Sequence, residues 1–146
     1  RNYPPDLDIV VTGGLPRRMR HLDVRNLRVL PYVSDGQLKG LYANAFALLY
    51  PTLNEGFGYP PLEAMASGTP VLSSDTCSIP EISGEAPLYF SATDVDQIMD
   101  RVAALTSDDQ LWQRMHTAGL RRVSEVLNRQ DRDLDRLVGI IMDETQ

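Results

Sequence analysis

Five apolar runs of strand length constrain this chain most: "LDIVVTG" (7–13), "LRVLPYV" (27–33), "AFALLYP" (45–51), "TPVLSS" (69–74) and "APLYF" (86–90). A strand with one wet face alternates apolar and polar side chains. These runs are nearly continuous, which predicts strands buried on both faces. Helical signals lie between them. In "SDGQ" (34–37), Ser34 has the N-cap place and Gln37 the N3 place of a capping box, with Val33 and Leu38 set as a hydrophobic staple. Leu38, Leu41, Tyr42 and Ala45 then follow at helical spacing. Strand and helix in alternation predict an α/β chain with a parallel sheet covered by helices on both faces. After residue 94, "VDQIMDRVAALTS", "DDQLWQRMHTAGLRRVSEVL" and "RQDRDLDRLVGIIMDE" read as consecutive helices. The last carries Leu134, Leu137, Val138 and Ile141 at i, i+3, i+4, i+7. No repeat or low-complexity linker interrupts the sequence, so residues 1–146 are expected to form a single domain.

Composition excludes several classes of function. A formal charge of −6 argues against a nucleic-acid surface, whose affinity depends on clustered Lys and Arg neutralising phosphates. The single Cys77 cannot form an internal disulfide, which fits a reducing, cytoplasmic compartment. No apolar run approaches the roughly 20 residues of a membrane span. The chain opens on Arg1 with no signal-peptide pattern, as expected of a piece of a longer protein.

The stretch "PTLNEGFGYPPLEAMASGTPVL" (51–72) carries the chemistry. "ALLYP" reads as a strand, "TLNEGFGY" as a loop and Pro60-Pro61 as a helix entry, since proline suits a first turn whose N–H groups have no partner inside the helix. Gly68, with Pro70 two residues on, reads as the stop, giving a helix over roughly 61–67. In a parallel α/β sheet, ligands bind beyond the carboxyl ends of the strands, and this loop falls there. Gly56 and Gly58 let the backbone approach a ligand, and the N–H groups of loop and helix start are expected to hold a phosphate. Glu63, expected in the helix's first turn, could accept hydrogen bonds from a ribose diol. Glu55, eight residues earlier, could reach a second polyol across the phosphates. Polyol, phosphate, ribose is the order of groups in a nucleotide sugar.

The run "EGFGYPPLEAMASGTPVLSSD", followed by "SIPEISGEAPLYF", resembles the E-x7-E region of the retaining two-domain (GT-B) glycosyltransferases, family 4, and "YVSDGQLKGLYANAFALLYPTLNE" is similar to the family's preceding segment. The resemblance covers about residues 8 to 106. It implies the second, Rossmann-like domain of such an enzyme, the half that holds the nucleotide-sugar donor, followed by a helical tail. It implies Glu55 near the sugar hydroxyls as the catalytic acid residue, orienting the donor for same-face displacement with retention. Gly56, Phe57, Gly58 and Tyr59 are then the loop against sugar and phosphate, Glu63 the ribose acid, and Val33 a backbone position against the nucleobase. The family's phosphate-clamping Arg and Lys are expected to precede Arg1, and its usual aromatic segment is absent from "VLNRQDRD".

Other conspicuous residues read blandly. The triplets "DLD", "DVD" and "DRD" are chance matches to a metal-binding pattern, and Arg17 and Arg18 are expected on a helix face. His21 and His116 read as surface or helix-face residues, Trp112 and Met115 as helix packing, Cys77 as an ordinary thiol, and Pro80-Glu81 as the opening of a short helix. The expected function is therefore donor binding for a retaining glycosyltransferase, with no metal or other cofactor and a nucleoside-diphosphate sugar as substrate. The acceptor, a glycan, lipid or small molecule, would be held by another domain, which could also make the protein peripheral to a membrane. The isolated chain is expected to be inactive. The alternative is a non-catalytic nucleotide-sugar binding module.

Overall fold

The computed structural model describes residues 7–19 and 25–144. The chain divides between Leu41 and Tyr42 into two compact units. In the first, β1 (Ile9–Thr12) pairs in parallel with β2 (Leu27–Leu30), Ile9 opposite Leu27 and Thr12 opposite Leu30. A short 3-10 turn at Arg17–Met19 follows β1. The strands lie where the apolar runs predict, but neither is buried on both faces. Half-buried and exposed residues mix along both, and Val10 and Val29, which point to opposite faces, are both exposed. A two-stranded ribbon has too little of its own unit around it to cover two faces.

The predicted capping box forms at the start of α1 (Asp35–Asn44). The Ser34 N–H donates to Gln37 Oε1 at 2.9 Å, the Gln37 N–H donates back to Ser34 Oγ at 3.4 Å, and the Leu38 N–H closes the first turn on the Ser34 carbonyl at 2.8 Å.

From Tyr42 onward, β3 (Leu48–Tyr50), β4 (Val71–Ser74) and β5 (Leu88–Phe90) form a parallel sheet with β4 in the middle. Here the expectation of strands covered on both faces is met at β4, all four of whose residues are buried. Its alternating side chains feed two cores. Leu72 packs with Phe90, Val102, Leu105 and Met115, while Val71 packs with Ala64, Met65 and Ala86. These clusters draw on α2 (Tyr59–Ala66), α4 (Val95–Ser107) and α5 (Asp109–Glu144), so helices flank the sheet on both sides. The short α3 (Ile79–Ser83) stands where Pro80-Glu81 predicts a helix. The observed architecture is thus α/β, but with a two-stranded and a three-stranded parallel sheet where one sheet is expected.

The tail also differs. Residues 109–144 form one helix of 36 residues rather than two, about 54 Å long at 1.5 Å per residue. "VLNRQD" contains neither Gly nor Pro and no capping signal, so nothing ends the helix there. The stripe of Leu134, Leu137, Val138 and Ile141 is present but 50–58% exposed.

Gly68 ends α2 in a left-handed conformation, φ +78°. Its N–H donates to the Met65 carbonyl at 3.0 Å and the Thr69 N–H reaches back to Ala64 at 2.9 Å, a Schellman closure. A Cβ here would stand 2.7 Å from His116 Cε1. Gly68→Ala should therefore cost at least the ~1–2 kcal/mol of a left-handed L-residue, lowering Tm by about 3–8 °C. Gly139→Ala, on the open flank of α5 with nothing within 4 Å, should instead gain up to ~1 kcal/mol of helix propensity. Thermal melts of the two variants check this opposition of sign.

Candidate functional site

β3 ends at Tyr50, and the chain then makes an irregular loop to Gly58 before α2 begins. The loop is fixed from the neighbouring β4–α3 segment by hydroxyl groups. Ser73 Oγ donates to the Tyr50 carbonyl at 3.3 Å. Ser74 Oγ and Thr76 Oγ1 both donate to the Thr52 carbonyl, at 2.7 and 3.2 Å, and Ser78 Oγ donates to the Glu55 carbonyl at 3.3 Å. A buried or half-buried carbonyl without a partner is costly, so four short hydroxyl side chains suffice to hold an irregular segment in one shape.

Glu55, half-buried, stands at the centre of this loop. Its Oε2 accepts from the Tyr50 phenol and its Oε1 from the Gly56 N–H at 3.1 Å. The Tyr50 hydroxyl foremost, then the N–H groups of Phe57, Gly56 and Gly58, hold this carboxyl below the usual carboxylate range against the opposing effect of burial. Burial, and then the hydrogen bond and charge of Glu55, push the Tyr50 phenol up to about 12. Tyr42 is also pushed up to about 12, by burial and then by the charge of the nearby Glu63 carboxylate. The two tyrosines sense each other electrostatically, so the two acid pairs belong to one neighbourhood.

Glu63 is not in the first turn of α2, as the sequence predicts, but in the second. The helix starts two residues earlier than Pro61, at Tyr59, because Gly58 adopts φ +100° and turns the chain directly into it. A side chain at that φ is strained, and its Cβ would stand 2.8 Å from Ile79 Cδ1, which would have to move. Gly56 is different, with open space around its missing Cβ, as close approach by a ligand requires.

The expected anion site at the helix start also needs correction. Pro60 and Pro61 carry no N–H, and the Leu62 N–H already faces the Gly58 carbonyl at 3.5 Å. The donors at this end are therefore those of the loop, and the Glu55 carboxylate engages those of Gly56, Phe57 and Gly58. Beside them the rings of Phe57 and Tyr59 lie 4.5 Å apart, with Tyr59 61% exposed.

Six of the seven residues singled out from the sequence, Glu55 to Tyr59 and Glu63, lie together on the β3–α2 connection. Val33 lies in the first unit, half-buried just before the α1 cap. Tyr42, Tyr50 and the hydroxyls of Ser73, Ser74, Thr76 and Ser78 escape sequence reading. The signal that could have found them is a tyrosine ending a strand five residues before an acid, and a hydroxyl-rich "SSDTCS" after the next strand.

The bland readings fare unevenly. Met115 is buried, and Trp112 packs against the core while donating to the Phe46 carbonyl at 2.9 Å. His116 is not a simple surface residue: it stacks on Trp112 and its Nδ1 lies 2.6 Å from the Gly68 carbonyl, at the carboxyl end of α2. Cys77 is an exposed loop thiol, 3.4 Å from Asn54 Oδ1. Asp6, His21 and the Arg18 side chain lie outside the described residues. Among the described residues, no three His, Cys, Asp or Glu side chains converge on a possible metal site, and no helix is long and apolar enough to cross a membrane.

The sequence model of the family described as glycosyl transferases group 1 matches residues 5–122. The chain is 44% identical over 92 residues to O-antigen chain mannosyltransferase B of Escherichia coli, covering 63% of this chain and 24% of that relative. It is 36% identical over 99 residues to the MMP alpha-(1->4)-mannosyltransferase of Mycolicibacterium hassiacum, covering 66% of this chain and again 24% of the relative. The chain thus spans about a quarter of the length of these proteins. Among solved structures, sucrose-phosphate synthase from Thermosynechococcus elongatus superposes with a TM-score of 0.67 over 80% of this chain and 31% of the other, at 23% identity, a likeness of fold.

The hydroxyl bracing is directly testable. Ser74→Ala should cost about 1 kcal/mol, because Thr76 still donates to the Thr52 carbonyl, whereas Ser74→Ala with Thr76→Val should cost more than the sum of the two singles. Denaturant titration measures the cycle, and amide exchange at Gly56–Gly58 should accelerate most in the double variant.

Proposed function

Because the chain belongs to the glycosyl transferases group 1 family, we propose that it is the donor half of a retaining glycosyltransferase that uses a nucleoside-diphosphate sugar. The observation that carries this reading is the pair of acids, Glu55 and Glu63, set eight positions apart on the β3–α2 loop and the second turn of α2, with Glu55 held by the Tyr50 hydroxyl and the uncovered backbone of Gly56 between them.

In this reading Glu63 accepts the two ribose hydroxyls and Glu55 those of the sugar. A carboxylate has about four acceptor sites, so Tyr50 and the Gly56 N–H leave Glu55 capacity for the donor. The diphosphate lies at the start of α2, whose helix dipole favours the negative charge that develops on the leaving group. Glu55, held ionised, orients the anomeric centre for attack from the face the leaving group departs. The scheme needs no metal ion on the diphosphate, and the acceptor is held by a part of the protein beyond these residues. Since the relatives above are named for mannose transfer, mannose is the first sugar to test.

Two substitutions separate the roles. Glu63→Gln in the complete protein removes charge-assisted bonds worth ~1.5–3 kcal/mol each, so calorimetry should record at least a tenfold weaker affinity for a nucleoside diphosphate. Unchanged affinity removes Glu63 from the ribose. Glu55→Ala should lower turnover steeply while nucleoside diphosphate affinity stays within about threefold. Equal loss of both would make Glu55 a support of the loop, not a partner of the sugar.

A further inference from the structure

Tyr50 is the last residue of β3 and lies in register with Ser73 of the buried central strand, whose hydroxyl holds the Tyr50 carbonyl at 3.3 Å. Its backbone is therefore fixed, and its ring is half-buried. The phenol has one proton to give, and it goes to Glu55 Oε2. The other carboxylate oxygen takes the Gly56 N–H. A carboxylate held at both oxygens, one from the strand and one from the loop, keeps a single orientation. Without the phenol, only N–H groups of the loop itself remain on the carboxylate.

We propose that Tyr50 is the positioning residue of the donor site, a strand-borne hydroxyl that fixes the orientation of the Glu55 carboxylate against the sugar. The proposal rests on the reading of Glu55 given above and adds to it where that residue's geometry comes from. The titratable groups facing this carboxylate and its partner are Tyr50 from β3 and Tyr42 from the end of α1, the latter engaged with Glu63 of α2. Raised to about 12, the Tyr50 phenol is neutral and a donor throughout the range in which an enzyme works. It supplies a hydrogen bond and no proton to the chemistry.

The sign of the pH effect follows. Glu55 is held low chiefly by this hydroxyl, so removing it raises the carboxyl's pKa and moves the acid limb of the turnover profile to higher pH. A purely structural tyrosine would lower Tm and leave that limb in place.

The test uses the complete protein with GDP-mannose, UDP-glucose and UDP-N-acetylglucosamine as donor probes. Tyr50→Phe keeps the ring and removes the hydroxyl. It should lower kcat about tenfold or more with the donor KM within about threefold, shift the acid limb upward, and add nothing to Glu55→Gln in a double-mutant cycle. A native kcat and native acid limb in Tyr50→Phe, alongside a crippled Glu55→Gln, overturns the proposal and leaves the role of Glu55 standing. A fully active Glu55→Gln overturns both. Should Tyr50→Phe not fold, a carbon-13 titration of the Glu55 carboxyl in the native protein decides: titration below the ordinary glutamate range is expected, and an ordinary value overturns the proposal.

Discussion

Everything in the larger unit depends on the double burial of β4. Its apolar residues, Val71 and Leu72, turn to opposite faces and seed the two cores, and burying such side chains gives ~1.5–3 kcal/mol each. Its last two residues change character. Ser73 and Ser74 are as buried as their neighbours, yet their hydroxyls reach sideways to the carbonyls of Tyr50 and Thr52. The strand that organises the core thus also holds the loop that carries Glu55, and the precision of the site is inherited from the most deeply packed element. A site supported this way is stiffer than its exposed position suggests.

The electrostatics follow the same economy. Among the described residues, no basic side chain pairs with Glu55. Its charge is met by one phenol and by loop N–H groups, which are fixed dipoles that need no reorganisation when a ligand's charge appears. Hydrogen bonding to the charged form outweighs burial here, so the carboxyl stays ionised while the tyrosines stay neutral. Partners of this kind are short and local, hence the site fits into the distance from one strand end to the first turns of the next helix.

Much of this was legible in the residues. Continuous apolar runs located all five strands, and the Ser34–Gln37 cap formed as its spacing required. Pairing was less legible, because a run of Val and Leu tells that a strand is apolar but not how many neighbours it finds. The single long α5 was missed as well: one helix ending at Leu127 and another starting at Arg129 were expected, whereas α5 runs through Asn128 without a break. Within the site, Glu55, the glycines and Glu63 stood out because acids and glycines are unusual beside a strand. Tyr42 and Tyr50 did not, since a tyrosine next to Leu reads as packing, and its hydroxyl reveals a role only when the partner's place in space is known.

The paired prolines that open α2 have one more consequence. A helix start normally offers an anion both a favourable field and several directional donors. Here Pro60 and Pro61 keep the field and remove donors from the first turn. Attraction and alignment are thereby separated. Under the proposed function, the helix draws the diphosphate in without dictating its angle, and the attached sugar pivots until Glu55 selects the pose.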